Sequence, residues 1–297
     1  MTTKSDSSIE IRTAAPSDDA TVEPLGAAAT KPTSQPALTT PSPWWLWIPA
    51  TLAILLITLP LLGLLSRVPW PRIGEVLTSQ AARDALWLSL RTCFASMLLC
   101  IVLGLPLAVI LGRMQGRLLG VVRVLTALPI AMPPVVAGLA LLAAFGRRGL
   151  LGPTLEAFGI TIGFTTVAVI LAQTFVAMPY FVISVEGALR SIDDEYEHIS
   201  ASLGADPSTT LRRITLPLLA PAIAAGATLA LARALGEFGA TLAFAGSLQG
   251  TTRTMPLEIY LQREAEPDIA YALAFVLLVI GGLLVGLAQW VQHRWAA

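Results

Sequence analysis

The sequence predicts an all-α, polytopic membrane protein with six transmembrane helices, and three observations predict it. Of 297 residues, 55% are hydrophobic and only 13% are charged, about half the charged share of a soluble domain. Mean hydropathy is +0.73. The apolar residues also fall in six runs, roughly 44–65, 86–111, 118–145, 163–185, 217–245 and 269–291, each near or above the ~20 residues that cross a hydrocarbon layer. A soluble core of this size has no room for so many separate apolar units.

Taken in order, residues 1–42 are rich in Thr, Ser, Ala and Pro without apolar periodicity, so they cannot offset their ordering entropy and read as a disordered cytoplasmic tail. The first apolar run begins only at Trp44, too late for a secretory signal. Residues 43–297 then form one membrane domain. Trp44, Trp45 and Trp47 open the first span, and Trp290 and Trp295 close the last, where amphipathic rings favour the headgroup region. The connection between spans two and three carries Arg113, Arg117 and Arg123 and no acid, which marks it as cytoplasmic. Six spans then place both termini inside, although the bias summed over all loops is weak.

Span three contains Pro129, Pro133 and Pro134, which remove backbone donors and kink a helix. In a bilayer the freed carbonyls need neighbouring helices or a water-filled path. A cavity-lining helix and a kink that only shapes packing are the two readings, and they have equal weight. In span six, Gly282 and Gly286 form a GxxxG pair that permits close helix approach.

The charge pattern excludes several functions. Nineteen basic and nineteen acidic residues balance to zero, with only two lysines, Lys4 and Lys31, so no basic face is available for nucleic acid. Cys93 and Cys100 lie seven residues apart in one apolar run, about 10 Å along a helix and too far for a disulfide. They read as lipid-facing or packing residues. Two histidines, His198 and His293, and no close cysteine pair give no ligand set with structural zinc spacing. Neither lysine stands in a GxxxxGK[ST] phosphate loop, so energy must come from a partner or an ion gradient. No catalytic residue, no metal and no cofactor are expected in this chain.

The loop between spans four and five, residues 190–221, is long and polar and lies on the side of the arginine turn. Asp193 or Asp194 can cap a short helix, and Gly204 can end it with a backbone that β-carbon residues resist. Asp206-Pro207-Ser208 then starts a second helix, with proline in its first turn. The product is a helix, a glycine elbow and another helix along the membrane surface, before Pro217 enters span five.

At these residues the sequence resembles a family. Gly204, nine residues, then Ile214-x-Leu216-Pro217 is similar to the cytoplasmic loop motif of ABC-importer permease subunits, EAA, three residues, Gly, nine residues, I-x-L-P. The sequence departs at the opening triplet, where His198-Ile199-Ser200 stand and the nearest acid is Glu197. The segments from Ala232 to Leu261 and from Leu128 to Leu142 also resemble molybdate permease subunits, with sulfate and tungstate permeases as near relatives. The resemblance covers most of residues 85–290. It implies the type I importer permease fold and a homodimer. Two cytoplasmic ATPase subunits would bind ATP and magnesium, and an extracytoplasmic binding protein would deliver molybdate. It also implies that the loop at about 190–216 docks on the ATPase, through Glu197, His198, Ser200, Leu203, Gly204, Ala205, Asp206, Ile214, Leu216 and Pro217.

Within the spans, Arg233 and Glu237 stand four apart on one helix face. Either Arg233 lies on the oxyanion path or the two neutralise each other and fix packing; the second is favoured, because a strong cationic site would trap a dianion. Gly236 and Gly239 flank the pair and serve close helix crossing or a gate, with Pro133 and Pro134 as further pathway candidates. His198 reads as an ordinary polar contact, not a pH sensor, and Leu203 as packing on its own chain or in the partner cleft. Residues 246–268, with Pro256, Leu257, Glu258 and Tyr260, form either a short outer surface helix or a plain loop. An ion-coupled secondary transporter, for which Glu237 is the one strong carboxylate, and an intramembrane enzyme are the competing classes. Sulfate, thiosulfate or tungstate is the competing cargo.

Overall fold

The computed structural model describes residues 43–296 except 115 and 194; the tail 1–42 and the alternative cap Asp194 lie outside the described residues. The chain falls into two units divided after Leu52. The described part of the first is a single helical turn, Trp44–Leu46, and the opening of α1 (Trp47–Arg67). Its three tryptophans are exposed.

The second unit continues with a short α2 (Ile73–Thr78) and the long α3 (Gln80–Arg113). Ser79 caps α3 by accepting from Ala82 N at 3.3 Å. Thirty-four residues make α3 about 51 Å long, so it projects beyond a hydrocarbon layer of roughly 30 Å. Next come α4 (Arg117–Ala131), α5 (Pro134–Phe145), a short α6 (Gly152–Ala157) and α7 (Thr166–Ser191), capped by Thr165. The chain continues through α8 (Glu195–Ser202), α9 (Pro207–Thr210), α10 (Leu216–Leu235), α11 (Gly239–Ala245), α12 (Met255–Ala265) and α13 (Pro267–Ala296).

Among the described residues every regular element is a helix, and five helical stretches are long and apolar enough to cross a membrane. The expected third span does not form one helix. It breaks between Ala131 and Pro134, because neither Pro133 nor Pro134 donates a backbone hydrogen bond and the ring of Pro134 suits the start of a new helix. The expected fifth span breaks as well, at residues 236–238, between α10 and α11.

The core lies where α3, α7 and α10 meet. Phe181 on α7 is fully buried between two glycines, Gly104 of α3 and Gly226 of α10. A β-carbon on Gly104 would stand 2.8 Å from Phe181 Cδ1, and one on Gly226 3.2 Å from Phe181 Cδ2. Small residues here let the three backbones approach around one ring, which in lipid is how dispersion packing replaces a hydrophobic driving force. Cys93 and Cys100 are buried in this core as free thiols, so they pack and do not face lipid. Gly282 and Gly286 have open space around them within the chain, and their expected close approach is not made there.

Residues 246–268 do contain a helix, α12, but it is not a surface strap. Met255, Leu257 and Glu258 are buried, Met255 against α3 and α13, while Tyr260 and Leu261 are exposed. Met255 N donates to Ser89 Oγ of α3 at 2.8 Å, and Arg253 Nη1 reaches Glu258 Oε2 at 3.3 Å.

Candidate functional site

Two constructions stand out, an elbow at one end of α10 and a double helix break at the other. The elbow begins at α8, where Glu195 N donates to Asp193 Oδ1 at 3.1 Å. It turns at Gly204, whose φ of +79° lies in the left-handed region that side chains with a β-carbon resist. Gly204 N donates to Ala201 O at 3.0 Å and Ala205 N to Ser200 O at 3.1 Å, so carbonyls left free at the helix end find partners. Asp206 restarts the helix. Its carboxylate accepts from Ser208 N at 3.0 Å and Thr209 N at 3.3 Å and from both hydroxyls. Those hydroxyl and amide donors hold its carboxyl well below the ordinary aspartate range.

The two limbs are tied together. Ser200 and Thr210, both buried, share a hydrogen bond between their hydroxyls. Glu197 forms an ion pair with Arg113 at the end of α3, and Arg113 Nη2 also donates to Thr215 Oγ1 at 2.9 Å. The arginine turn and the polar loop therefore share one end of the molecule. Although Glu197 stands one residue before the family motif's triplet, it makes an ionic contact.

Not all of the expected loop residues converge. Glu197 and Ser200 join the network, Gly204, Ala205 and Asp206 form the elbow, and His198 is exposed. Leu203 is 83% exposed, with Tyr196 and Ile199 also exposed, so Leu203 does not pack on its own chain. The second helix is also not a separate surface element. After Thr210 the chain widens into one π-helical turn, Leu211–Thr215, which carries Ile214 and runs directly into α10. Leu216 and Pro217 are the first residues of α10.

α10 has twenty residues, about 30 Å of rigid helix from the elbow to the second construction. There α10 stops at Leu235, and the side chain of Glu237, 1% exposed, turns back on the gap. Its Oε1 accepts from Ala240 N at 2.8 Å, the first turn of α11, and its Oε2 meets Arg233 Nη2 at 2.8 Å. Glu237 thus joins the end of α10 to the start of α11 across the break.

The break in span five lies against the break in span three. A β-carbon on Gly239 would stand 2.5 Å from Pro134 Cβ, and one on Gly138 2.6 Å from Ala243 Cβ. Gly239 thus serves close crossing. Gly236 does not, for the nearest neighbour of a β-carbon there would be the Ala232 carbonyl of the preceding turn, 3.9 Å away. Pro133 caps and Pro134 begins α5, so Pro134 and Gly239 meet at the junction of the two breaks, beside the Arg233–Glu237 pair.

Sequence reasoning missed a third cluster. Arg123 Nε of α4 meets Glu186 Oε1 of α7 at 2.7 Å, and Arg190 Nη2 meets the same oxygen at 2.9 Å. The i,i+4 spacing of Glu186 and Arg190 was a visible signal; the partnership with Arg123 had none.

Residues 104–296 match the family described as binding-protein-dependent transport system inner membrane component. The chain belongs to that family. A relative of this inner membrane component, the molybdenum transport system permease protein ModB of Mycobacterium tuberculosis, is 53% identical over 243 residues, 82% of this chain and 92% of the relative. The sulfate transport system permease protein CysT of Salmonella typhimurium is 34% identical over 246 residues, 81% of this chain and 88% of the relative. Among solved structures, a bacterial ABC transporter involved in the import of the acidic polysaccharide alginate superposes with a TM-score of 0.68 at 19% identity, over 84% of this chain and 94% of that one. The fold of the inner membrane component is that of an ABC-importer permease.

Proposed function

We propose that this chain is the translocation subunit of an ATP-driven importer of molybdate, working as a homodimer on two cytoplasmic ATPase subunits and receiving its cargo from an extracytoplasmic binding protein. The observation that carries this reading is the capped elbow. Gly204 and Asp206 fix a rigid knob at the arginine-rich end, and its exposed Leu203, Tyr196 and Ile199 are apolar side chains suited to a partner's cleft. The likeness to the ModB protein supports molybdate as the cargo.

In this reading the arginine-rich end and both termini are cytoplasmic, and the chain carries no ATPase site, metal or cofactor of its own. ATP and magnesium belong to the partner. ATPase closure moves the elbow, the π-helical turn and α10 transmit the displacement, and the paired breaks at Gly239 and Pro134 change their packing as the cavity switches sides. A ligand shifts such an equilibrium only through differential affinity for its two states; ATP and the loaded binding protein supply it.

The test is uptake of radiolabelled molybdate by proteoliposomes containing the chain, its ATPase and its binding protein. Uptake that requires ATP and all three components is the expected result. Preferential uptake of sulfate would favour the reading supported by CysT. Uptake without the ATPase, driven by an ion gradient, would overturn the proposal in favour of a secondary transporter.

A further inference from the structure

The third cluster has a charge surplus and a cavity. Glu186 is buried, and its single carboxylate is shared by two guanidiniums, those of Arg123 and Arg190, which are 40% and 50% exposed. Arg123 Nη2 is further held by Leu111 O at 2.8 Å. Two positive groups are therefore fixed against one negative group, leaving one unit of positive charge directed at open space. No carboxylate other than Glu186 pairs with either arginine among the described residues.

Arg123 and Arg190 line two cavities at once. On one side a polar cavity of about 330 Å³ is bounded by Gly112, Met114, Gly116 and Leu119, at the start of α4. That helix has fifteen residues and no side-chain cap, so its first amides have no acceptor within the helix. On the other side a groove of about 350 Å³ runs between α4 and α7 over Thr126, Ala127, Val182 and Ile183, and away from the charged cluster its lining is mostly apolar. Arg123 stands about 9 Å along α4 from Arg117, and Glu186 about 8 Å from the end of α7, so the cluster lies near the end of each helix.

We infer that this site binds an anionic phospholipid, the phosphate lying between Arg123 and Arg190 and one acyl chain along the α4–α7 groove. Arginine suits such a phosphate, because its planar donors match the oxygens, and Glu186 positions both guanidiniums before the lipid arrives. A soluble phosphate or oxyanion would use the same charges but would gain nothing from the apolar groove. The groove decides for lipid. A bound lipid would bridge α4 and α7 beside the end that carries the elbow, which makes the packing of these helices sensitive to the anionic content of the leaflet. The inference rests on the proposed cytoplasmic orientation only for which leaflet supplies the lipid.

The test uses the purified full chain in detergent, with palmitoyl-oleoyl-phosphatidylglycerol as probe and native mass spectrometry to read retained lipid, and it needs no transport. Phosphatidylglycerol retained over phosphatidylcholine is expected. Arg190→Gln, which leaves Glu186 paired with Arg123, should weaken that retention about fivefold, the worth of one basic side chain at an anionic surface. Gly187→Leu, at a position with open space around its β-carbon, should obstruct the groove and weaken retention without changing charge. Arg117→Gln, outside the cavity lining, should change it less than twofold. Equal retention of the two lipids, displacement by inorganic phosphate at equal concentration, or full retention by Arg190→Gln would each overturn the inference. If one variant fails to fold, the other and the headgroup comparison still decide. Failure of molybdate uptake would leave the lipid result standing, and the reverse also holds.

Discussion

Replacing Gly204 separates backbone strain from side-chain contact at the elbow. Its φ is +79°, and a β-carbon there would have nothing within 4 Å, so no steric clash confuses the outcome. A left-handed backbone costs a residue with a β-carbon about 1–2 kcal/mol, and more for a β-branched one. That is roughly five- to thirtyfold in the ratio of formed to opened elbow. Asparagine tolerates this conformation far better. Gly204→Val is therefore expected to lower ATPase activity stimulated by the loaded binding protein by severalfold in the reconstituted complex, while Gly204→Asn keeps most of it. Thermal unfolding of the membrane domain should be nearly equal in both, because the elbow lies outside the α3–α7–α10 core. Equal losses in the two variants would refute the reasoning and mean that any side chain at this position obstructs the partner. Unchanged activity in Gly204→Val would refute it more directly.

Three further outcomes follow from the same geometry. Arg233→Gln strands the buried carboxylate of Glu237, so it should destabilise the detergent-purified chain by about 3–5 kcal/mol, the usual cost of breaking a buried pair; Arg233→Gln with Glu237→Gln should regain part of the lost melting temperature. Gly104→Ala puts a β-carbon 2.8 Å from Phe181 Cδ1 and should cost about 1–3 kcal/mol by overpacking, with Phe181→Leu in the same chain relieving it in a thermal melt. Because Asp206 has a carboxyl held below its ordinary value of 3.8, its cap is complete above that value and is lost only as pH falls through the depressed one. Limited proteolysis of the elbow should then be unchanged between pH 5 and 8, and Asp206→Ala should raise cleavage at every pH in that range.

Much of the elbow was legible because its signals are local. Asp193, Gly204, Asp206 and Pro207 each act on backbone groups within four residues, and a capping carboxylate or a glycine turn behaves alike in many contexts. What followed Thr210 was not legible. The π-helical turn at Leu211–Thr215 merges the second limb with α10, and it is tied by Thr215 to Arg113, more than a hundred positions away. The helix breaks were half legible. Pro133 and Pro134 announce one, whereas the stop at Leu235 is sealed by Glu237 turning back on Ala240, a contact that the i,i+4 spacing with Arg233 does not reveal.

By itself the sequence determined the solvent of this protein, because thirteen charged residues in every hundred cannot cover a surface in water, and long apolar runs can be satisfied only as helices in lipid. It also determined the elbow, through short-range backbone chemistry. Only the tertiary structure decided which breaks meet, that Phe181 fills a socket made by Gly104 and Gly226, and that Arg123 shares Glu186 with Arg190. Those contacts depend on which faces of distant helices approach one another, and in an all-apolar span the hydrophobic pattern does not distinguish a face that meets lipid from one that meets protein.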